Sequence, residues 1–294
     1  MPDLMTTREV AEYLRIKERK VYELVREREI PCTRVSGKWL FPRRLIDVWL
    51  LASSEGPRPA ARTAPPPIIA GSQDPLLDWA LRESGSDIAM LTCGSAGGLD
   101  RLAEGRALGA SLHLLDADTG EYNAAAIRRT LSAREVVAIN WAWRDQGLVV
   151  APGNPLGLWQ IADLKGAGVR VVHRQDGSGS ELLLRRLLAD AGNHLDDLSL
   201  IGETAKSETD LGLAVLDGRA DAGLAVAAVA HRLKLEFVAL ARERFDLVIG
   251  QRDYFEAPFQ ALLEFTRGDR FRQYADELGG YDLAEVGRVV YVGP

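Results

Sequence analysis

Residues 52–67 read ASSEGPRPAARTAPPP, and this stretch constrains the chain more than any other. Its five prolines (Pro57, Pro59, Pro65, Pro66 and Pro67) lack backbone donors, and the small and polar residues between them offer little to bury. No core forms across such a segment. The 294 residues therefore divide into a head, 1–51, and a body, 68–294. The tether reads as exposed and semi-extended, which argues against rigid coupling within one chain and for coupling through a dimer interface. Charge divides at the same place. The head holds eleven Lys/Arg against eight Asp/Glu, a net of +3, while the whole chain is −6 and the remainder therefore −9. A basic head on an acidic body fits a protein that meets nucleic acid with the head alone.

Hydrophobic residues make up 47% of the chain, enough for a core in each part. No apolar run approaches the roughly 18–20 residues that cross a bilayer. MPDLMTTREV has no basic region followed by an apolar stretch, so no secretory signal is expected. Cys32 and Cys93 fall one in each part and form no CxxC pair, so neither a zinc site nor a disulfide framework is indicated. These features point to a cytoplasmic protein without a membrane segment.

In the head, Thr6 and Glu9 have capping-box spacing and open a first helix with Val10, Ala11 and Leu14 on one face. After the turn Arg15-Ile16-Lys17, a second helix over about 17–28 places Val21, Leu24 and Val25 inside. Its outer face carries Lys17, Arg19, Lys20, Arg26 and Arg28. Two short helices with a basic outer face on the second form a helix-turn-helix pattern. CTRVSGKWLFP reads as a hairpin around Ser36-Gly37, flanked by Arg34 and Lys38. A third helix is expected over about 42–51, with Pro42 in its first turn.

The stretch TTREVAEYLRIKERKVYELVREREIPCTRVSGKWLFPRRLIDVWL resembles the excisionase-type winged helix-turn-helix, a minimal relative of the MerR DNA-binding head. The resemblance implies that the second helix enters the major groove, with Lys17, Arg19 and Lys20 near DNA and Arg34, Lys38, Arg43 and Arg44 on phosphates. Leu40 stands where the family often has Arg after the wing Trp, and Arg43 and Arg44 are close enough in sequence to compensate. Some relatives of this head bind protein instead, and single basic residues here are equally consistent with a solvated surface.

From residue 68 onward, strands and helices alternate. Strands read at 68–70, 87–91, 112–115, 136–140, 148–150, 169–172, 222–226 and 237–240. This predicts an α/β body with mostly parallel sheets and helices on both faces. Ligands in such sheets sit beyond the strand carboxyl ends, at helix N-termini. Ser72, Ser95, the run Asp176-Gly177-Ser178-Gly179-Ser180 and the run Glu208-Thr209-Asp210 occupy such places. Four such starts around one cleft would hold an anion. Each alone is also what an ordinary helix cap looks like, and GSGS lacks the Lys of a phosphate-binding P-loop.

QGLVVAPGNPLGLWQIADLKGAGVRVVHRQDGSGSELLLRRLLADAG, with HLLDADTGEYN, ETDLGLAVLDGRADAGLAV and ERFDLVI, resembles the type 2 periplasmic-binding-protein fold. It resembles more closely still the cytoplasmic binding-protein-like domain found in bacterial and archaeal regulators and fused to molybdopterin-biosynthesis proteins. The resemblance implies two lobes, about 68–150 plus the tail from 250, and about 151–249. The chain would cross between them near Val150 and Val248. It implies molybdate or tungstate as ligand, with Ser72, Ser95, Ser178, Gly179, Ser180, Thr209 and Asp210 around it and Tyr122 and Asn123 at the rim. Ser180-Glu181 stands where the family usually has Thr-Arg, which removes a positive charge that Arg174 is placed to supply. A small organic acid or a pterin-type ligand stays open, with Trp141, Trp143 and Trp159 as aromatic candidates.

His113, His173, His194 and His231 lack metal-pair spacing, DGSGS is not a nucleophile elbow, and Asp116/Asp118 form a nonspecific D-x-D. No catalysis, cofactor or resident metal is expected. The reading is a cytoplasmic regulator, a homodimer on promoter DNA, that responds to a small anion. The alternatives are a sensor of an organic metabolite and a molybdenum-cofactor accessory protein whose head binds a protein partner.

Overall fold

The computed structural model describes residues 4–35, 37–53, 64–116 and 119–293, so most of the expected tether, with Ser36 and Asp118, lies outside the described residues. The head comprises β1 (Leu4–Thr6), α1 (Thr7–Leu14), α2 (Glu18–Arg26), β2 (Thr33–Val35), β3 (Lys38–Pro42) and α3 (Arg43–Ala52). Thr6 caps α1 as its spacing with Glu9 predicts: its hydroxyl accepts from Glu9 N–H, and Glu9 accepts from Thr6 N–H at 2.8 Å. Strand β1, which the sequence pattern does not announce, pairs with β3 in a three-stranded sheet ordered β1-β3-β2. Helix α2 is shorter than its periodicity suggests, and Pro42 caps α3 instead of lying in its first turn. Val10, Val21, Leu24, Phe41 and Ile46 close a small core.

The body begins with β4 (Ile68–Gly71), α4 (Pro75–Glu83), β5 (Ala89–Thr92), α5 (Gly94–Ala103), β6 (Gly109–Leu112) and α6 (Ala124–Thr130). Then come β7 (Val136–Val150), β8 (Arg170–Val172), α7 (Gly179–Asp190), β9 (Ser199–Leu200), α8 (Glu208–Leu216), β10 (Ala222–Val226) and α9 (Ala227–Leu233). The chain ends with β11 (Glu236–Gly250), α10 (Ala257–Arg267), α11 (Asp269–Leu278), β12 (Tyr281–Asp282) and β13 (Val289–Val292). One sheet runs β5-β4-β6-β11-β7-β10-β8-β9, with β12 and β13 also on β7. Its wings, β5-β4-β6 and β10-β8-β9, are parallel, while β7 and β11 join them as an antiparallel pair.

The crossing between lobes differs from the expected one. It lies in the middle of β7 and β11, each 15 residues long, and not near Val150 and Val248. Register shifts at Ala239/Ala241 and Phe245/Asp246 bracket it. Polar residues Arg144, Asp145 and Gln146 make the middle of β7 read as a break, yet the strand continues because Arg144 and Gln146 find buried partners. Separate apolar clusters fill the two lobes, and α9 lies where they meet, with Val229 in one cluster and Ala230 in another. Leu45 of α3, with no exposed surface, belongs to the lobe-one cluster, so the head is packed on the body. Among the described residues, no helix is long and apolar enough to cross a membrane.

Candidate functional site

Three strand ends of lobe one converge on the cleft. Gly71, at the end of β4, has φ +141° and sits so close to β6 that a Cβ would lie 2.3 Å from the Ser111 carbonyl oxygen. This close approach sets Ser72 beside Ser95, in the first turn of α5, with their hydroxyl oxygens 2.8 Å apart and both residues buried. Ser111 donates to the Ser72 carbonyl, and Ser95 accepts from His113 N–H. Two hydroxyls that share one hydrogen bond leave one proton to aim at a guest. Helix α5 starts at Gly94 with no side-chain cap, so its first backbone N–H groups stand beside this pair.

The start of α7 faces this cluster from lobe two. Ser178 caps α7, accepting from Glu181 N–H. Gly179 lies against the His113 ring, and a Cβ there would come within 2.5 Å of it. Ser180 is buried and donates to the Glu208 carboxylate. Glu208, the first residue of α8, also accepts from Val226 N–H at 2.8 Å and from Gln146 at 3.2 Å.

Beneath these contacts is a charged floor that sequence reasoning did not find. Arg144 pairs with Asp74 at 3.0 Å and with Glu243, and stacks on Phe245. Asp74 caps α4 and accepts from Trp141 and from Tyr281, the latter at 2.7 Å. Glu243 accepts from Gln146 at 2.9 Å and meets His113 Nδ1 at 2.8 Å. Arg144, Asp74, Glu243 and His113 are all buried. Burial pushes the Glu243 carboxyl up, but the charge of Arg144 and the contacts with His113 and Gln146 outweigh it and leave it at about 2. Burial opposes the Arg144 charge, and Glu243 and Asp74 more than restore it. The Tyr281 hydroxyl is held well above its ordinary value by burial and by Asp74. The Gln146 amide is oriented by two carboxylates, since its oxygen cannot face them. Its Oε1 and Arg144 Nε are buried without a hydrogen-bond partner.

The other sequence candidates are engaged by neighbouring groups of the fold. Asn123 is buried, and its side chain is spent on Leu114 N–H, the Leu112 carbonyl and Asp246. Tyr122 packs edge-on against Trp143 with its hydroxyl near the Arg242 carbonyl. The Arg174 guanidinium holds the loop before α8 through the Ala205 and Lys206 carbonyls. Thr209 and Asp210 form the first turn of α8, which Ser207 caps. Trp141 is a core residue and Trp159 is 67% exposed, so the three tryptophans do not form one pocket. The strand alternation Arg144/Gln146 was the available signal for the floor. Its partners Asp74 and Glu243 lie 70 and 99 residues from Arg144, beyond any local pattern.

In the head, Lys17 precedes α2. Arg19 and Lys20 stand on its exposed face, each paired with Glu23. Lys38 and Arg44 are exposed, Arg43 lies over the Tyr13 ring, and Arg34 stacks on Trp39. The basic set thus spreads over α2, the wing and the start of α3.

A model of the PBP superfamily domain matches residues 79–267, and one of a helix-turn-helix domain matches residues 4–54. YvgK of Bacillus subtilis (strain 168) is 27% identical over 300 residues, covering 97% of each chain. The sulfate-binding protein SubI from Mycobacterium tuberculosis H37Rv resembles the body with TM-score 0.50 at 16% identity, over 73% of this chain and 84% of SubI. Peb3 from Campylobacter jejuni does so with TM-score 0.50 at 13% identity, over 73% of this chain and 98% of its own. The excisionase-like head and the binding-protein-like body implied by the sequence resemblances are both present.

Proposed function

Since this chain belongs to the PBP superfamily and carries a helix-turn-helix domain ahead of it, we propose that it is a one-component transcriptional regulator that senses a small anion between its lobes. The observation that carries the ligand reading is the uncapped start of α5 beside the Ser72–Ser95 pair, opposite the start of α7. Oriented backbone N–H groups and a hydroxyl favour negative charge there. A ligand that touches both lobes favours the closed form, and that preference supplies the switching energy. Molybdate and tungstate are the first candidates, because a tetrahedral oxyanion suits a donor shell of this kind. SubI is named for sulfate, another such oxyanion, but at 16% identity its likeness speaks to fold alone. The protein acts in the cytoplasm as a homodimer, since one small winged head gives little affinity and symmetric half-sites call for two. The body performs no chemistry on its ligand.

A second reading is favoured by the floor. Asp74, Glu208 and Glu243 are acceptors, and Gln146 Oε1 is an unpartnered one. A fully ionised oxyanion donates nothing to them, whereas a small organic acid with a hydroxyl or amine does. Calorimetric titration with molybdate, tungstate, sulfate and a set of hydroxy and amino acids separates the two. Micromolar binding of the first two supports the oxyanion reading, and binding confined to the organic acids replaces it. Ser72→Ala and Ser95→Ala should abolish ligand binding and spare DNA binding. Unchanged ligand affinity in both variants rules out this site.

A further inference from the structure

The head does not hang free from its tether. Leu45 is buried in the lobe-one cluster, and Arg267 of α10 donates to the Arg28 carbonyl at 3.2 Å. A cavity of about 480 Å³ lies along the junction, with Arg28, Cys32 and Trp39 on the head side and Tyr254, Arg267 and Val289 on the body side. The body side is continuous with the lobe crossing through residues 280–289, which run along β7 as a strap. The Gly280 carbonyl accepts from Asp145 N–H, and Asp282 pairs with Arg242 at 2.8 Å. Glu285 accepts from the Trp143 indole at 3.3 Å and pairs with Arg288. Gly287 and Arg288 exchange backbone hydrogen bonds with Asn140, and Val289 is in register with Ile139. The lobe-one cluster takes β7 up to Ala142 and β11 from Phe245, and the lobe-two clusters take β7 from Leu148 and β11 up to Ala241, so Trp143, Asp145 and Arg242 lie where the strands pass from one lobe to the other. Glu285 and Arg288 also line the cavity under the head.

We propose that this strap couples the cleft to the DNA-binding head within one chain: lobe rotation bends β7 and β11, the strap follows, and the wall that holds the head shifts with it. Coupling needs a physical element that both sites bias, and the strap touches both. This replaces the expectation, drawn from the proline-rich tether, that coupling runs through a dimer interface. The proposal takes its purpose from the regulator reading, but its test needs neither ligand nor operator, so the two can fail separately.

Cys32 is the reporter, because it lies in the junction and burial raises its thiol to about 11. Its alkylation by iodoacetamide is followed in the full chain by peptide mass spectrometry. Arg267→Glu, or Arg267→Gln if the first does not fold, removes the bond to Arg28 and should raise the rate about tenfold. Gly179→Ala places a methyl against His113 and holds the lobes apart, so it should change the Cys32 rate about fivefold although it lies in the cleft. Glu285→Ala frees the strap from Trp143, but Glu285 also lines the cavity beside Cys32, so the rate of that variant is the reference: in that background Gly179→Ala should produce no further change. A Cys32 rate within about twofold of wild type in both Arg267 variants means the head is not docked. The same result in Gly179→Ala means the cleft is not coupled to it. Either overturns the proposal.

Discussion

Head and body carry similar residue types and use them in opposite ways. In the head, Arg19 and Lys20 point outward and share Glu23, and the side chain of Arg19 is 91% exposed. Such pairs add little to stability, so these charges remain available to a partner. In the body, Arg144 is held between Asp74 and Glu243 with almost no exposed surface. Those charges have left water, and each needs the others. Substitutions in the head should therefore change binding and leave the fold alone, whereas substitutions in the floor should change the fold first.

The strongest test of this contrast is Arg144→Met. It leaves Asp74 and Glu243 buried without their cation and should cost about 3–5 kcal/mol in urea unfolding. A loss below about 1 kcal/mol would mean that the floor tolerates unpaired carboxylates and that the contrast is false.

Acid titration gives the next largest effect. Glu243 sits at about 2 in the folded chain against an ordinary 4.5, so the unfolded chain binds the proton first as pH falls. Its stabilisation is full above about pH 4.5 and is lost toward pH 2, on the order of 3 kcal/mol. Asp246, raised by burial, acts in the opposite sense and adds nothing to the acid loss. Glu243→Gln should flatten this part of the stability–pH curve, and an unchanged curve would assign the acid loss elsewhere.

The smallest effect on stability belongs to Lys20→Glu, within about 0.5 kcal/mol. The same change should abolish operator binding. A more conservative Lys20→Gln should weaken binding and lower the slope of log affinity against log salt by about one. Wild-type operator affinity in both variants would turn α2 away from DNA. Loss of thermal stability instead would merge head and body into one class.

Legibility in the sequence follows the same division. The capping box of α1, the hairpin at Gly37 and the apolar faces of α1 and α2 are set by residues three or four apart, and the structure contains all of them. Ser72 and Ser95 could be placed at strand ends because β/α alternation is also a local signal. Asn123 shows the limit: its side chain is taken by Asp246, 123 residues away, a partner that no window around TGEYN contains.

The sequence by itself determined the two modules, the order of their elements and the helix starts that border the cleft, because propensity, periodicity and capping act over a few residues. Only the tertiary structure decided three other things. It made β7 one strand through a polar middle, it assembled Asp74, Arg144, Glu208 and Glu243 into one floor, and it seated the head on lobe one. Each of these rests on pairings between residues far apart in the chain. Burial then decides the outcome, since a charge removed from water must find its partner wherever the fold brings one.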